Sequence, residues 1–273
     1  MQRILTAIVL ITVVVLVLFK APLWVVTLAS ALVAGLALYE YTGLANKRGA
    51  RVPFWFILPV AALLFLVPAP QHLAVIAILA IALLAWASFT APPGQVLPDA
   101  AYGIFGLLWV VYPLVLLPQM SNTRGPALVL FLFVVVWSGD IAALYIGKNF
   151  GRHKLAPRLS PNKTWEGSVA SIAGSVICGM ALVYLGIALN EHTGSTVLLI
   201  DCPPEQLAVL AVLLNIAAQI GDLVESAVKR GSGVKDSGTM LPGHGGMLDR
   251  IDALLLVAPV LWYALEIKEY FRF

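Results

Sequence analysis

The stretch Ala127–Ile146, ALVLFLFVVVWSGDIAALYI, decides the fold, because it is a run of mostly apolar residues with a single acidic side chain. About 20 such residues, wound as an α-helix, cross the hydrocarbon core of a bilayer. A barrel strand would instead alternate apolar and polar residues, and in lipid only helices and closed barrels satisfy their backbone groups. The stretch therefore predicts a transmembrane helix.

The composition of the whole chain supports the same conclusion. Of its 273 residues, 60% are hydrophobic and 11% are charged, whereas soluble domains carry about 25% charged residues. So little charge could not cover the surface of a soluble fold of this size. The net charge is only +3, and it creates no global field that would favour nucleic acid as a partner. We predict an all-α integral membrane protein.

Long apolar runs recur along the chain, and each predicts a membrane helix because its length is close to that needed for one crossing. The first run follows Arg3, but no small-residue cleavage site of a signal peptide follows it, so we keep it as a membrane helix. The nine predicted transmembrane helices lie at about Ile4–Phe19, Pro22–Tyr39, Pro53–Val67, Leu73–Phe89, Tyr102–Leu117, Ala127–Ile146, Ser168–Leu189, Gln206–Lys229 and Ile251–Ile267.

Lysine and arginine in short loops predict the orientation, because cytoplasmic loops carry an excess of them. The loop Asn190–Glu205 has neither, which places it outside. Lys268 and Arg272 disagree mildly, since nine crossings put the C-terminus outside as well. We predict a multi-pass protein of the cell (inner) membrane with its active site facing the cytoplasm. The cytoplasmic loops carry Arg3, Lys47, Arg48, Arg51, Lys148, Arg152, Lys154, Arg158, Lys163, Lys229, Arg230 and Lys235.

Polar residues are distributed unevenly between the two halves of the chain. Up to about Ala127 the sequence is mostly apolar helix and short turn, and from Trp137 onward polar groups crowd the predicted cytoplasmic helix ends. No linker is long enough to separate soluble domains. We predict one membrane domain, in which residues 1–126 form an N-terminal scaffold and residues 127–273 form the catalytic part with a polar cavity.

A polar segment, SPNKTWEG at residues 160–167, directly precedes an apolar helix. Its Ser160, Lys163 and Thr164 stand just before the helix start, where hydroxyls and exposed N–H groups form an anion site. Cations at a membrane boundary can also be topology signals or contacts to anionic lipid head groups. Upstream, Asp140 lies in an apolar helix, where a carboxylate is costly and faces either a polar cavity or a structural partner.

The densest group of polar residues surrounds the end of the eighth predicted helix. Asp222, Glu225, Ser226 and Lys229 follow i, i+3, i+4, i+7 spacing, so they line one helical face. A glycine-rich run, residues 231–246, follows. Its glycines allow the backbone to approach a ligand closely. This region carries the further candidates Arg230, Lys235, Asp236, His244, Asp249, Arg250 and Asp252.

These residue types favour one kind of chemistry. The carboxylates of Asp222 and Asp249 can hold Mg²⁺, a hard cation that prefers oxygen ligands and substrate phosphates. Lysine and arginine beside them can neutralise phosphate charge, and phosphoryl and nucleotidyl transfers need mainly such positioning and stabilisation. The sequence has no Walker motif, no zinc ligand set and no nucleophile–base pair typical of hydrolases. It therefore predicts Mg²⁺-assisted phosphoryl or nucleotidyl chemistry.

Two blocks of the sequence closely resemble phosphatidate cytidylyltransferases, also called CDP-diacylglycerol synthases, of bacterial type. The first block is SAVKR at residues 226–230, KDSG at 235–238 and LPGHGGMLDRID at 241–252, with no departure from the family signature. The second is SPNKTWEG at residues 160–167, where Asn162 occupies a variable position. The resemblance implies a multi-helix membrane enzyme.

The family resemblance also implies a reaction and a set of roles. CTP and phosphatidic acid would give CDP-diacylglycerol and pyrophosphate, with Mg²⁺ required, in phospholipid biosynthesis. Asp222 and Asp249 match the metal-binding aspartates, and Lys229 and Ser226 stand with them as catalytic residues. A second, monovalent cation stays open, as does a role of the N-terminal helices in a homodimer. The implied substrate-binding residues are Ser160, Lys163, Thr164, Arg230, Lys235, Asp236, His244 and Arg250.

Two other functions stay open at this stage. A lipid-alcohol kinase or related phosphotransferase would use similar charges, although the pattern expected of CDP-alcohol phosphotransferases is absent from the sequence. An ion-coupled membrane transporter would use the intramembrane Asp140 and Asp222 as an ion pathway. A transporter does not require the charged, glycine-rich run outside its helices, and this run disfavours it.

Overall fold

The structure, a computed structural model, describes residues 2–240 and 245–271, with side-chain surroundings for residues 11–240 and 245–267. Helices dominate this part of the chain. Their bounds are α1 Gln2–Lys20, α2 Leu23–Lys47, α3 Phe54–Leu64, α4 His72–Thr90, α5 Val96–Gly106, α6 Tyr112–Arg124, α7 Pro126–Phe150, α8 Trp165–Thr193, α9 Pro204–Gly231, α10 Leu248–Ile251 and α11 Leu254–Phe271.

Every predicted membrane segment falls largely on a helix. Among the described residues, six helical stretches are long and apolar enough to cross a membrane, and α3 is apolar but shorter. The chain is thus a mostly helical, multi-pass membrane protein, whereas the count of nine crossings stays a prediction. The six stretches are Leu23–Lys47, Ala69–Thr90, Pro93–Arg124, Pro126–Phe150, Trp165–Thr193 and Pro204–Gly231.

One predicted helix, Tyr102–Leu117, is the middle of a longer continuous stretch, Pro93–Arg124. A π-helical segment, Leu107–Val111, joins α5 to α6 within it. This segment immediately precedes Pro113, which has no N–H to donate to the preceding turn. A wider turn of this type is a common local irregularity inside α-helices, and here it lets the helix continue past the proline.

The structure contains a two-stranded β-hairpin, which the all-α prediction did not include. Strand β1, Lys154–Ala156, pairs antiparallel with β2, Ser160–Thr164, in the segment between α7 and α8. The strands are short and carry polar residues on both sides, so they lack the apolar alternation that identifies a half-buried strand in a sequence. The hairpin ends where Thr164 caps α8, its hydroxyl accepting a hydrogen bond from Gly167 N at 3.2 Å.

Helices α7, α8 and α9 pack together through small and polar side chains. The buried amide of Asn215 in α9 donates to Ser171 Oγ at 2.9 Å and to Ser175 Oγ at 2.7 Å, both in α8. Ser175 Oγ in turn donates to the carbonyl of Val135 in α7 at 2.5 Å. Gly139 lies against these three side chains, where a Cβ would be 2.6 Å from Ser175 Oγ. Membrane helices associate through close packing of small residues and through interhelical hydrogen bonds, because no hydrophobic driving force acts between helices in lipid.

The N-terminal and C-terminal halves share one core. Helix α2 packs against α6, the π-helical segment and α10, and α11 packs against α6 and α9. Fully buried side chains in this core come from both halves and include Leu38, Leu44, Leu116, Phe131, Leu132 and Leu214. The end of α2 therefore lies beside the segment that carries the glycine-rich run.

Candidate active site

Lys163 and Asp222, here called the outer pair, form an ion pair between the hairpin and α9. Lys163 Nζ lies 2.6 Å from Asp222 Oδ2, and the two side chains are 23% and 38% exposed. Lys163 lies in β2, and Thr164, the next residue of the same strand, caps α8. The strand and the cap together hold Lys163 in place. The structure thus brings together two residues predicted from separate blocks of the sequence.

Asp222 lies beside the break between α10 and α11 because the preceding residue is glycine. A Cβ on Gly221 would be 2.8 Å from the carbonyl oxygen of Asp252, so only glycine lets α9 approach this closely. Asp252 is within electrostatic range of Asp222. Asp140 in α7 is also within electrostatic range of Asp222 and Lys163. Two further carboxylates therefore lie near the outer pair.

Lys229 and Asp249, here called the inner pair, link α9 to α10. Lys229 Nζ lies 2.6 Å from Asp249 Oδ1 and also 2.6 Å from Glu225 Oε2. The side chains are 13% exposed for Lys229, 9% for Asp249 and 0% for Glu225. The ammonium group of Lys229 therefore lies between the carboxylates of Asp249 and Glu225, and all three side chains are largely buried.

Asp249 is held by more than its lysine. Its Oδ2 accepts hydrogen bonds from Gly246 N at 2.8 Å, Ser237 N at 3.0 Å and Ser237 Oγ at 2.9 Å. Burial alone would raise the pKa of Asp249, but the bonds from Lys229 and from these backbone N–H groups outweigh it and lower the pKa to about 2. Asp249 is therefore an anion throughout the physiological range.

The predicted helical face of α9 divides between the two pairs. Asp222 contacts Lys163 in the outer pair, whereas Glu225 contacts Lys229 of the inner pair. Ser226 is half-buried, and within the described part of the chain its hydroxyl has no hydrogen-bond partner. Asp249 likewise belongs to the inner pair, whereas Asp252, which shares a face with it by spacing, lies within electrostatic range of Asp222 in the outer pair. The spacing placed these residues on shared helical faces without showing how their contacts divide.

The other predicted binding residues belong to neither pair and differ in their exposure. Thr164 is buried and engaged in capping α8, and Ser160 is half-buried in β2 opposite Ala156. The guanidinium of Arg230 donates to the carbonyl of Val234 at 3.2 Å. His244 lies outside the described residues. The remaining predicted residues, Lys235, Asp236 and Arg250, are exposed.

Glu40 in α2 contacts the same loop, and the sequence did not single it out. Its carboxylate accepts hydrogen bonds from Met247 N, Leu248 N and Ser237 Oγ. A lone acidic residue in an otherwise apolar helix is rare and functional by default, but the second helix was predicted to end at Tyr39, whereas in the structure it continues to Lys47. That signal was used for Asp140 but not for Glu40.

The donor set fits a divalent cation. Asp140, Asp222 and Asp252 lie within electrostatic range of one another, and Lys163 forms an ion pair with Asp222. In the described residues, no three His, Cys, Asp or Glu side chains are grouped closely enough to hold a metal ion by themselves. Mg²⁺ is usually bound by one or two carboxylates and completes its shell with water and substrate phosphates. The site suits this mode of binding.

Long apolar helices that end in enclosed lysine–carboxylate pairs define a polytopic membrane protein with a charged site at its helix ends. The family model described as the cytidylyltransferase family matches residues 1–268. The chain belongs to this family.

Named relatives are similar mainly over part of the chain. The phosphatidate cytidylyltransferase of Brucella suis is 48% identical over 138 residues, which cover 50% of this chain and 46% of that protein. The phosphatidate cytidylyltransferase of Staphylococcus saprophyticus is 38% identical, covering 60% of this chain and 58% of that protein. The chain thus spans about half the length of these relatives. The uncharacterized protein YnbB of Escherichia coli is 34% identical, covering 89% of this chain and 80% of YnbB.

Proposed function

We propose that this chain transfers the cytidylyl group of CTP to phosphatidic acid and gives CDP-diacylglycerol and pyrophosphate. The observation that carries the proposal is the two lysine–aspartate pairs. Lys163 of one block resembling phosphatidate cytidylyltransferases contacts Asp222, four residues before the other block, and Lys229 contacts Asp249 within that other block. Membership of the cytidylyltransferase family and the names of the relatives support the choice of substrates.

The reaction balances without any oxidant or reductant. A phosphate oxygen of phosphatidic acid attacks the α-phosphorus of CTP, and a new P–O–P bond forms. The bond from the α-phosphorus to the oxygen bridging to the β-phosphate breaks, and pyrophosphate leaves with that electron pair. The attacking phosphate is already anionic, so the protein has mainly to position the two substrates and to stabilise charge.

Asp222 and Asp249 would hold Mg²⁺, with Asp252 and Asp140 close to Asp222. The bound ion would supply charge neutralisation at the phosphates of CTP. Lys163 and Lys229 already face the two aspartates at 2.6 Å, so both ammonium groups stand where phosphate oxygens would meet the ion. A monovalent cation beside Mg²⁺ is compatible with the surplus of carboxylates.

The remaining predicted residues are assigned to the nucleotide and the lipid phosphate. The exposed groups would meet CTP from the aqueous side, because a soluble nucleotide arrives from water. Ser226 lies one turn from Asp222 and has a hydroxyl to donate to a phosphate oxygen. His244 is assigned a structural or phosphate-contact role. The exposed set is Arg230, Lys235, Asp236 and Arg250, and the hairpin adds Ser160 and Thr164.

The proposal includes the topology predicted from loop charge. Nine crossings place the site at the cytoplasmic ends of the helices in the inner membrane, where a soluble nucleotide and a membrane lipid both have access. The lysines and arginines of the hairpin and of the α9 end support this side. Residues 1–126 would act as scaffold, and their apolar outer faces would be available to a homodimer interface.

Radiolabelled CTP tests the reaction directly. Purified chain in detergent is incubated with phosphatidic acid, Mg²⁺ and CTP labelled at either the α- or the γ-phosphate. Cytidylyl transfer puts the α-label into lipid and releases the γ-label in pyrophosphate, whereas a lipid kinase would put the γ-label into lipid. Absence of CDP-lipid from the folded wild type would overturn the proposal.

Matched carboxamide variants test the metal ligands. Asp222→Asn and Asp249→Asn are each expected to reduce the rate by about 10- to 100-fold or more, since each removes one ligand charge. The exposed Glu191→Gln, which lies in the predicted outside loop, is the control and should stay near the wild-type rate. Unchanged product formation in both aspartate variants would refute the metal assignment.

A further inference from the structure

Glu40 is a buried acid from the N-terminal half of the chain that contacts the candidate active site. It lies in α2, seven residues before the end of the helix at Lys47, and its exposed fraction is 4%. A carboxylate in such a place is costly unless donors surround it. The groups that donate hydrogen bonds to Glu40 therefore indicate its role.

Among the described residues, the donors to Glu40 are Ser237 in the glycine-rich run and two backbone N–H groups at the start of α10. Oε1 accepts from Met247 N at 3.0 Å, and Oε2 accepts from Leu248 N at 2.9 Å and from Ser237 Oγ at 3.0 Å. Both carboxylate oxygens are thus used by loop atoms on either side of residues 241–244. Glu40 joins the two ends of this segment to α2.

Ser237 connects Glu40 to Asp249. Its Oγ is 3.0 Å from Glu40 Oε2 and 2.9 Å from Asp249 Oδ2, and its backbone N–H donates to Asp249. A hydroxyl has only one proton to donate, so the two carboxylates share a single donor. Displacing Glu40 would therefore change the hydrogen bonding of Asp249 itself.

Two glycines of the run leave space for the Glu40 side chain. A Cβ on Gly238 would overlap Glu40 Oε1 and lie 2.7 Å from Glu40 Cδ. A Cβ on Gly246 would overlap Glu40 Oε2 and Ser237 Oγ. This steric fit is independent of the hydrogen bonds. The loop is shaped around the carboxylate as well as bonded to it.

We propose that Glu40 is the positioning residue of the site: it holds Ser237 and the start of α10 so that Asp249 faces Lys229. Glu40 acts through these groups and does not itself reach substrate, because its oxygens are occupied. The inference rests on the proposed function for the role of Asp249. It extends the N-terminal half from scaffold to a contributor to the active site.

Steady-state kinetics of Glu40→Gln test the role. The glutamine is nearly isosteric but offers one acceptor oxygen, so at least one loop donor loses its partner. We expect kcat to fall about 10- to 100-fold and the Mg²⁺ concentration for half activity to rise, with KM for phosphatidic acid within twofold of wild type. Glu40→Asp keeps the charge and should recover part of kcat.

Thr42→Val is the matched control. Thr42 lies on the same helix, is equally buried, and its hydroxyl donates only to the Tyr39 carbonyl of its own helix at 2.8 Å. Its kinetic constants should stay within twofold of wild type. Kinetics of Glu40→Gln that match those of Thr42→Val, in a protein whose wild type makes CDP-diacylglycerol, would overturn the positioning role while leaving the proposed function intact.

Hydrogen–deuterium exchange supplies a readout that does not need activity. The amides of Met247 and Leu248 should exchange faster in Glu40→Gln than in wild type or Thr42→Val, measured on the same detergent-solubilised chains. Unchanged exchange at these amides would overturn the proposal even if the wild type proved inactive with CTP. Failure of the proposed function alone would leave the faster exchange in place.

A double-mutant cycle tests the steric fit. Gly238→Ala should reduce kcat in the wild-type background and reduce it several-fold less in the Glu40→Ala background, where the overlapping carboxylate is gone. Contacting residues give such non-additive effects. Strictly additive losses in the two backgrounds would contradict a loop shaped around Glu40.

Discussion

The outer and inner pairs are the same chemical unit in two different environments. Each is a lysine 2.6 Å from an aspartate, but the outer side chains are 23% and 38% exposed and the inner ones 13% and 9%. An exposed ion pair contributes about 0–1 kcal/mol, whereas removal of one partner from a buried pair costs roughly 3–5 kcal/mol. The comparison indicates that the inner pair is part of the folded core and the outer pair is free to exchange its partner for a ligand.

The largest expected effect is on the inner pair. Lys229→Met leaves Asp249 and the fully buried Glu225 without their shared cation. We expect the free energy of unfolding to fall by roughly 3–5 kcal/mol, measured by SDS-induced unfolding in mixed micelles. A loss below about 1 kcal/mol would break the distinction between the pairs.

The second effect is a pH dependence at Asp249 of the inner pair. Despite burial, the bonds from Lys229 and from backbone N–H groups lower its pKa to about 2, so the unfolded chain binds more protons than the folded chain between about pH 4 and 2. Stability contributed by the ionised form is therefore present above pH 4 and is lost as the pH falls through this window. The free energy of unfolding of the wild type should fall by roughly 1–2 kcal/mol between pH 5 and pH 2.

The variant Asp249→Asn supplies the contrast for that experiment, because it has no ionisable group at this position. Its loss of stability between pH 5 and pH 2 should be smaller than that of the wild type. Equal losses in the two proteins would contradict the lowered pKa of Asp249.

The third effect concerns the cap that positions the outer pair. Thr164→Ala removes the hydrogen bond from Gly167 N at the start of α8, and loss of such a cap costs about 1 kcal/mol. Thr90→Ala at the end of α4, whose exposed hydroxyl donates to the Trp86 carbonyl of its own helix, serves as control and should change the free energy of unfolding by less than about 0.5 kcal/mol. Equal losses in the two variants would show that the cap has no special role.

The smallest expected effect is the counterpart of the first. Lys163→Met breaks the outer pair and should change the free energy of unfolding by about 0–1 kcal/mol, in the same SDS titration. A loss comparable to that of Lys229→Met would mean that the outer pair is also a fixed part of the fold.

The sequence predicted the helices well because apolar length is a direct consequence of bilayer thickness. It also identified Asp222, Lys229 and Asp249 through their local spacing. It did not predict the β1–β2 hairpin, whose short polar strands have no apolar period. The continuous Pro93–Arg124 stretch was predicted too short, because its flanking turns are polar and proline-rich.

The contacts of Glu40 could not be predicted, because they depend on how distant helices pack. Its partners lie 197 and 208 residues further along the chain, and no spacing rule operates over such distances. The sequence also could not predict which polar residues on one face of α9 contact the outer pair and which contact the inner pair, for the same reason. Local periodicity places side chains on a face but does not say which neighbouring helix each will meet.

The long separation between Glu40 and its partners sets an order of events during biosynthesis. Ribosomes add about 5–20 residues per second, so α2 would wait roughly 10–40 s for Ser237 and Leu248 to emerge. An unpaired acid inside a membrane helix disfavours insertion by about 2.5–3.5 kcal/mol at the bilayer centre. Because Glu40 lies two turns from the end of α2, its carboxylate can reach the aqueous boundary during this interval. The glycine-rich run and the start of α10 then draw it inward, so that the site is complete only after Leu248 has emerged.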